Sequence, residues 1–130
     1  MKLKALVPEF IVSNLDKSIS FYEDALHFKL EITAPDVAPF TWAQLQLGDF
    51  RIMMQDHYET KREISDFPSI LGSTVLFVLK YDDLEVAKAM YTELQRKGIQ
   101  TFIEYRETDY GTVEFGIVDP DGYRIIISAE

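Results

Sequence analysis

The segment that most constrains this chain is Asp119-Pro120-Asp121-Gly122-Tyr123-Arg124-Ile125-Ile126-Ile127-Ser128, close to the C-terminus. An apolar run ends at Val118, a turn is predicted over Pro120, Asp121 and Gly122, and a β-branched run returns from Arg124. Asp-Gly between apolar runs is a strong hairpin signal, because glycine takes the positive φ that such turns demand. A weaker copy stands earlier. Gly48-Asp49-Phe50-Arg51-Ile52-Met53-Met54 repeats the order of turn residues, aromatic, arginine, isoleucine and two apolar residues. A chain that writes the same hairpin twice, with a comparable stretch ahead of each, is built from two copies of one module.

The rest of the chain agrees with that reading. Residues 5–13 alternate loosely and read as a first strand. Asn14 is placed to cap a helix in which Leu15, Ile19, Tyr22 and Leu26 recur at helical spacing beside Phe21 and Ala25. His27 falls where this helix stops; histidine tolerates left-handed backbone better than most residues, so it is read as a C-terminal cap. Strands are expected at residues 28–33, 40–47 and 50–55, with a loop at 34–39. Module one thus covers residues 3–56, and the polar, mixed stretch 57–72 is read as a connector.

Module two, residues 73–130, repeats the order. A strand is expected at residues 73–80. Asp82 is read as a helix cap with Glu85 reaching back to it. Leu84, Ala87, Tyr91 and Leu94 mark the buried face of that helix, and Gly98 its terminator. Strands at 99–105, 112–118 and 123–128 follow. Leu15 and Leu84 correspond at an offset of 69, and Phe50 and Tyr123 at 73. The expected fold is therefore α+β: two βαβββ modules in tandem within a single domain, their sheets curled around a cleft of the kind that binds ligands.

Composition excludes several classes of function. With 47% hydrophobic residues the chain is not disordered, and with no cysteine it has neither disulfides nor thiolate chemistry. A net charge of −9 disfavours nucleic acid, whose phosphates require clustered Lys and Arg, and favours a cationic small molecule. No apolar run approaches the roughly 20 residues of a membrane span, and no signal peptide opens the chain. A cytoplasmic protein is expected. No Gly-x-Ser-x-Gly elbow, phosphate loop or histidine spacing assembles a catalytic set.

These features resemble the vicinal oxygen chelate superfamily, which holds glyoxalase I, extradiol dioxygenases, fosfomycin-resistance enzymes and bleomycin-resistance proteins. The resemblance runs over essentially the whole chain and is carried best by residues 7–22 and by residues 110–122, which end in the Asp-Pro-Asp-Gly turn. Catalytic members hold a divalent metal through His, Glu or Gln on the first and last strands of each module. Carried over position by position, those ligands fall at Val7, Met53, Ser73 and Ile126. A thioether, two hydrocarbons and a lone hydroxyl do not suit a cation that needs oxygen or imidazole donors. Glu9, two residues beyond Val7, does not make a site alone. The resemblance therefore implies no metal and no other cofactor.

Departure from the metal site is similar to the bleomycin-resistance branch, whose members sequester a cationic glycopeptide antibiotic in grooves at a dimer interface. Leu6-Val7-Pro8-Glu9 resembles its first strand, and Tyr110-Gly111 its aromatic-glycine pair ahead of the hairpin. The expected function is metal-free sequestration of a cationic or amphipathic small molecule by a homodimer. Two alternatives stay open: a metal-dependent glyoxalase or dioxygenase with displaced ligands, and an interaction module with a filled cleft.

Six residues are the candidate ligand contacts. Phe40 and Trp42, two apart on one expected strand, would share a face and offer stacking platforms. Tyr105, Asp109, Tyr110 and Glu114 combine aromatic rings with an acidic stretch able to hold a cation. Glu104 and Glu107 belong to the same run, relieved only by Arg106. His57 and Tyr58, at the start of the connector, are read as surface residues.

Overall fold

Asn14 and Asp83 each end an extended segment and begin a helix, at the offset of 69 that relates the modules. The Asn14 side chain accepts from the Lys17 N–H at 3.1 Å, and the Asp83 carboxylate from the Glu85 N–H at 2.9 Å. The second cap is thus Asp83 and not Asp82, because Asp83 is the residue that leaves the extended conformation. The computed structural model describes all residues, Met1–Glu130. It divides into two compact units, Met1–Leu71 and Gly72–Glu130.

In the first unit the order is β1 (Glu9–Val12), α1 (Leu15–Leu26), β2 (Lys29–Ala34), β3 (Trp42–Leu47), β4 (Phe50–Asp56) and α2 (His57–Glu63). The sheet order is β1-β4-β3-β2, with β1 parallel to β4 and the other pairs antiparallel. Leu15, Ile19, Tyr22 and Leu26 are all buried, as their spacing requires. Tyr22 meets Phe10 and Phe28 edge-on, with ring centroids 5.5 and 5.8 Å apart. Phe10 pairs in register with Met54, and Met54 with Ala43, so these residues share the α1 side of the sheet. Full burial of each large side chain stabilises by about 1.5–3 kcal/mol. His27 closes α1 at φ 65°, its N–H donating to the Glu23 carbonyl at 3.1 Å and the following Phe28 N–H to the Tyr22 carbonyl at 3.0 Å.

Alternation then places Glu9, Trp42, Gln44, Arg51, Met53 and Gln55 on the other face. One end of that face is closed by α2. The Asp56 carboxylate caps this helix at the Glu59 N–H, and buried Thr60 donates to the Gln55 Oε1 at 2.7 Å. Residues 57–63, within the stretch read as a connector, are therefore helical. Their hydrophobic pattern is too short and too polar to announce a helix, which is anchored by its cap and the Thr60–Gln55 bond.

The second unit carries β5 (Leu76–Tyr81), α3 (Leu84–Arg96), β6 (Thr101–Glu107), β7 (Val113–Val118) and β8 (Arg124–Ala129), in sheet order β5-β8-β7-β6. It repeats the parallel pairing as β5 with β8. Val113, Phe115, Ile117, Ile125, Ile127 and Ala129 are buried. Tyr91 of α3 packs on Phe115 with ring centroids 5.1 Å apart. Ala87 and Leu94 are buried, but Leu84 is 43% exposed. As the first helical residue it lies at the edge of the stripe that runs through Ala87, Tyr91 and Leu94.

Strand starts move from their expected positions, and three of the shifts have a visible cause. β1 begins at Glu9 because the ladder with β4 begins at the Glu9–Met53 pair. β5 begins at Leu76 because Gly72 and Thr74 have φ of 75° and 67°, which no strand accommodates. β3 begins at Trp42 because Thr41 turns back on Ala34, whose carbonyl accepts its N–H at 2.8 Å. The two hairpins also differ. In the first copy Leu47 pairs with Phe50 across a two-residue turn, while in the second Val118 pairs with Arg124 across a longer loop. The buried Asp119 carboxylate organises that loop, accepting from the Asp121 and Tyr123 N–H groups at 2.9 and 2.8 Å. No helix is long and apolar enough to cross a membrane.

Candidate functional site

The α1-free face of the first sheet carries two polar constellations around Met53. Glu9 stands beside Met53 in register, and its carboxylate accepts the Trp42 indole N–H at 3.1 Å. This bond crosses β4, which lies between the strands of the two residues. On the other side, Glu31 accepts from Arg51 Nε at 3.0 Å, Arg51 Nη2 at 3.2 Å and Gln44 Nε2 at 2.7 Å. A bulge between Leu30 and Ile32 turns the Glu31 side chain to this face. Hydrogen bonds from Arg51 and then Gln44 hold the Glu31 carboxyl below the usual carboxylate range, and Arg51 is held more firmly protonated. The Glu31 charge is thus neutralised, whereas Glu9 meets only a neutral donor.

The second unit builds the corresponding place differently. Arg124 occupies the position of Arg51 at the start of the last strand, on the face away from α3. A bulge between Thr101 and Ile103 turns Phe102 inward, and the Arg124 guanidinium lies over its ring, 5.3 Å from the centroid. Gly116, paired with Ile126, stands where Gln44 pairs with Met53 in the first unit.

The six candidate residues are not brought into one group. In the first unit, Trp42 is half-buried on the α1-free face, while Phe40 is half-buried in the segment before β3 and outside its ladder. In the second, Tyr105 packs on Tyr91 of α3, with ring centroids 5.5 Å apart. Glu114 is on the opposite side of that sheet, where its carboxylate takes Arg106 Nη2 at 2.6 Å. The acidic run is therefore partly neutralised. Asp109 and Tyr110 occupy the turn between β6 and β7, pinned by the Thr108 N–H to Thr112 carbonyl bond at 2.9 Å, with Tyr110 74% exposed. Glu9, Glu31, Gln44, Arg51, Phe102 and Arg124 were not singled out from sequence as ligand contacts. The arginine repeated after each aromatic was the available signal for two of them.

The family model for the Glyoxalase/Bleomycin resistance protein/Dioxygenase superfamily matches residues 4–127. The chain belongs to this superfamily. Superfamily structures share its fold at low identity. Lactoylglutathione lyase from Agrobacterium tumefaciens is 18% identical, covers 99% of this chain and 96% of its own, and has a TM-score of 0.74. A glyoxalase-related enzyme from Fulvimarina pelagi is 13% identical over 98% of this chain and 89% of its own, with a TM-score of 0.81. A glyoxalase/bleomycin resistance protein/dioxygenase from Nocardioides is 15% identical over 99% and 85%, with a TM-score of 0.74. No curated protein matches the chain significantly.

Metal-binding members of the superfamily set the question of whether these residues fit a divalent cation. Strand pairing refines one position. Glu9 pairs with Met53 and Val78 with Ile126, so the counterpart of Val7 in module two is Leu76 and not Ser73. Ser73 lies three residues earlier, before the strand begins. Val7, Met53, Leu76 and Ile126 supply no oxygen or nitrogen side-chain donor, and Glu9, paired with Met53, adds a single carboxylate. No group of three or more His, Cys, Asp or Glu side chains is arranged to hold a metal. The donor set does not fit the family's cation.

Proposed function

We propose that this protein is a metal-free small-molecule-binding member of the superfamily that acts as a homodimer by sequestering a cationic or amphipathic ligand. The observation that carries the reading is the chemistry at Val7, Met53, Leu76 and Ile126, where hydrocarbon and thioether replace every ligand a catalytic cation would need. Beside Met53, the α1-free face offers a half-buried indole and the Glu9 carboxylate, a pairing suited to a cation held against an aromatic surface. The net charge of −9 supports the same ligand class by steering. Protection would then depend on binding strength and protein concentration together.

The test is a titration of Trp42 fluorescence with metal-free bleomycin at low and moderate salt. Trp42 is the sole tryptophan, so the signal reports on this face alone. Saturable quenching that weakens with salt supports the proposal, and light scattering should give twice the chain mass. Stoichiometric Zn, Ni, Mn or Fe in protein purified without chelators would overturn the metal-free reading. No response to bleomycin would remove this antibiotic as the ligand.

A further inference from the structure

The second unit holds a depression of about 640 Å³, broadly open to solvent and lined by Ser73, Thr74, Val75, Leu76, Phe102 and Arg124 among others. Its volume falls within the range of about 300–1,000 Å³ typical of small-molecule sites. Every lining residue belongs to the second unit.

Its character comes from a contrast between repeated positions. In module one the bulged residue is Glu31, which neutralises Arg51 with help from Gln44. In module two the bulged residue is Phe102, Gly116 replaces the glutamine, and Arg124 has no carboxylate partner. Its Nη1 reaches only the Gly122 carbonyl, at 3.4 Å, and its flat face rests on the Phe102 ring. The module has exchanged an internal ion pair for a cation supported on an aromatic surface, leaving the guanidinium edge free for an anion.

The surroundings are built rather than accidental. Gly72 at φ 75° lets the segment before β5 press against the Asp121–Tyr123 backbone, where a Cβ would stand within 2.9 Å of three backbone atoms. Thr74 adopts φ 67°, uncommon for a β-branched residue, with its hydroxyl donating to the Ser73 carbonyl at 2.7 Å. These turns bring Ser73 to the depression, while Val75 and Leu76, the latter 56% exposed, give it an apolar wall.

We propose that this depression is an anion-selective site for the carboxylate of a small apolar molecule. Arg124 holds the carboxylate, and the apolar body lies against Phe102, Val75 and Leu76. The ligand class is an aromatic or aliphatic monocarboxylate, opposite in charge to the ligand proposed for the Trp42 face.

The experiment is an NMR titration with 2-naphthoate and with neutral 2-naphthylmethanol. The expected result is that naphthoate shifts the amide signals of Ser73, Thr74, Leu76 and Arg124 and binds at least about tenfold more tightly than the alcohol. Arg124→Gln, whose native side chain is exposed, should keep the wild-type spectrum and lose about tenfold in naphthoate affinity. Phe102→Leu should weaken naphthoate while retaining an apolar side chain. Absence of naphthoate binding, equal affinity for acid and alcohol, shifts confined to other residues, or full affinity in Arg124→Gln would each overturn the proposal. Bleomycin binding at Trp42 should be unchanged in Arg124→Gln, so the two sites fail separately.

Discussion

The ring of Phe102 occupies the space that a side chain on Gly116 would need: a Cβ there would stand within 2.9 Å of ring atoms Cδ1, Cε1 and Cζ. Gly116 is buried in β7 with no positive φ, so its role is close approach rather than backbone freedom. The ring in turn carries Arg124. Gly116→Ala should destabilise the protein by about 1–3 kcal/mol through overpacking. In Phe102→Ala the same glycine substitution should cost much less, because the clashing ring is gone. Denaturant melts of the double-mutant cycle check this, and additive effects would show that the two residues do not share the space.

Gly72 is constrained by backbone instead. A Cβ at this position meets the Asp121 carbonyl, Gly122 C and Tyr123 N, and its φ of 75° disfavours any side chain. A hairpin backbone cannot swing away as a ring can. Gly72→Ala should therefore cost about 2–4 kcal/mol, read by thermal or urea denaturation. A variant as stable as the parent would contradict the close approach.

His27 ends α1 in the left-handed region at φ 65°, ψ 25°. Glycine has no Cβ penalty there, so His27→Gly should raise stability by about 0.5–1 kcal/mol and His27→Ala should not. Equilibrium unfolding of both variants separates the backbone effect from loss of the imidazole.

The Glu31 carboxyl is held low by hydrogen bonds from Arg51 and Gln44. A depressed folded-state pKa contributes stability that is present above the ordinary value of 4.5 and lost as pH falls through the depressed one. Glu31→Gln should be less stable than the parent near neutral pH, and the difference should shrink in acid. Because this carboxylate is solvent-screened, added salt should also reduce the difference. Paired urea melts across the acid range test the sign; a gap that widens on acidification would refute it.

Glu9 and Trp42 give a spectroscopic prediction. Glu9→Ala leaves the indole N–H to water, so Trp42 emission should move to longer wavelength. The stability change should stay within about 1.5 kcal/mol, the range for one hydrogen bond. Emission identical to the parent would show that the bond does not persist in solution.

The duplicated hairpin, the Asn14 cap, the left-handed end at His27 and the helical stripe through Leu15, Ile19, Tyr22 and Leu26 were legible in the sequence. Each is a local event, set by turn chemistry, capping or a hydrophobic period that one segment carries by itself. The absence of donor side chains at Val7, Met53 and Ile126 was equally legible once the repeat was aligned. What only tertiary structure decided was which residues meet across strands. Strand register moved the second first-strand position from Ser73 to Leu76. Two bulges, invisible to a period-2 pattern, turned Glu31 towards Arg51 and Phe102 towards Arg124. The same arginine, written twice in the sequence, is a neutralised ion pair in one module and an open cation in the other, because strand pairing selects the residue beside it.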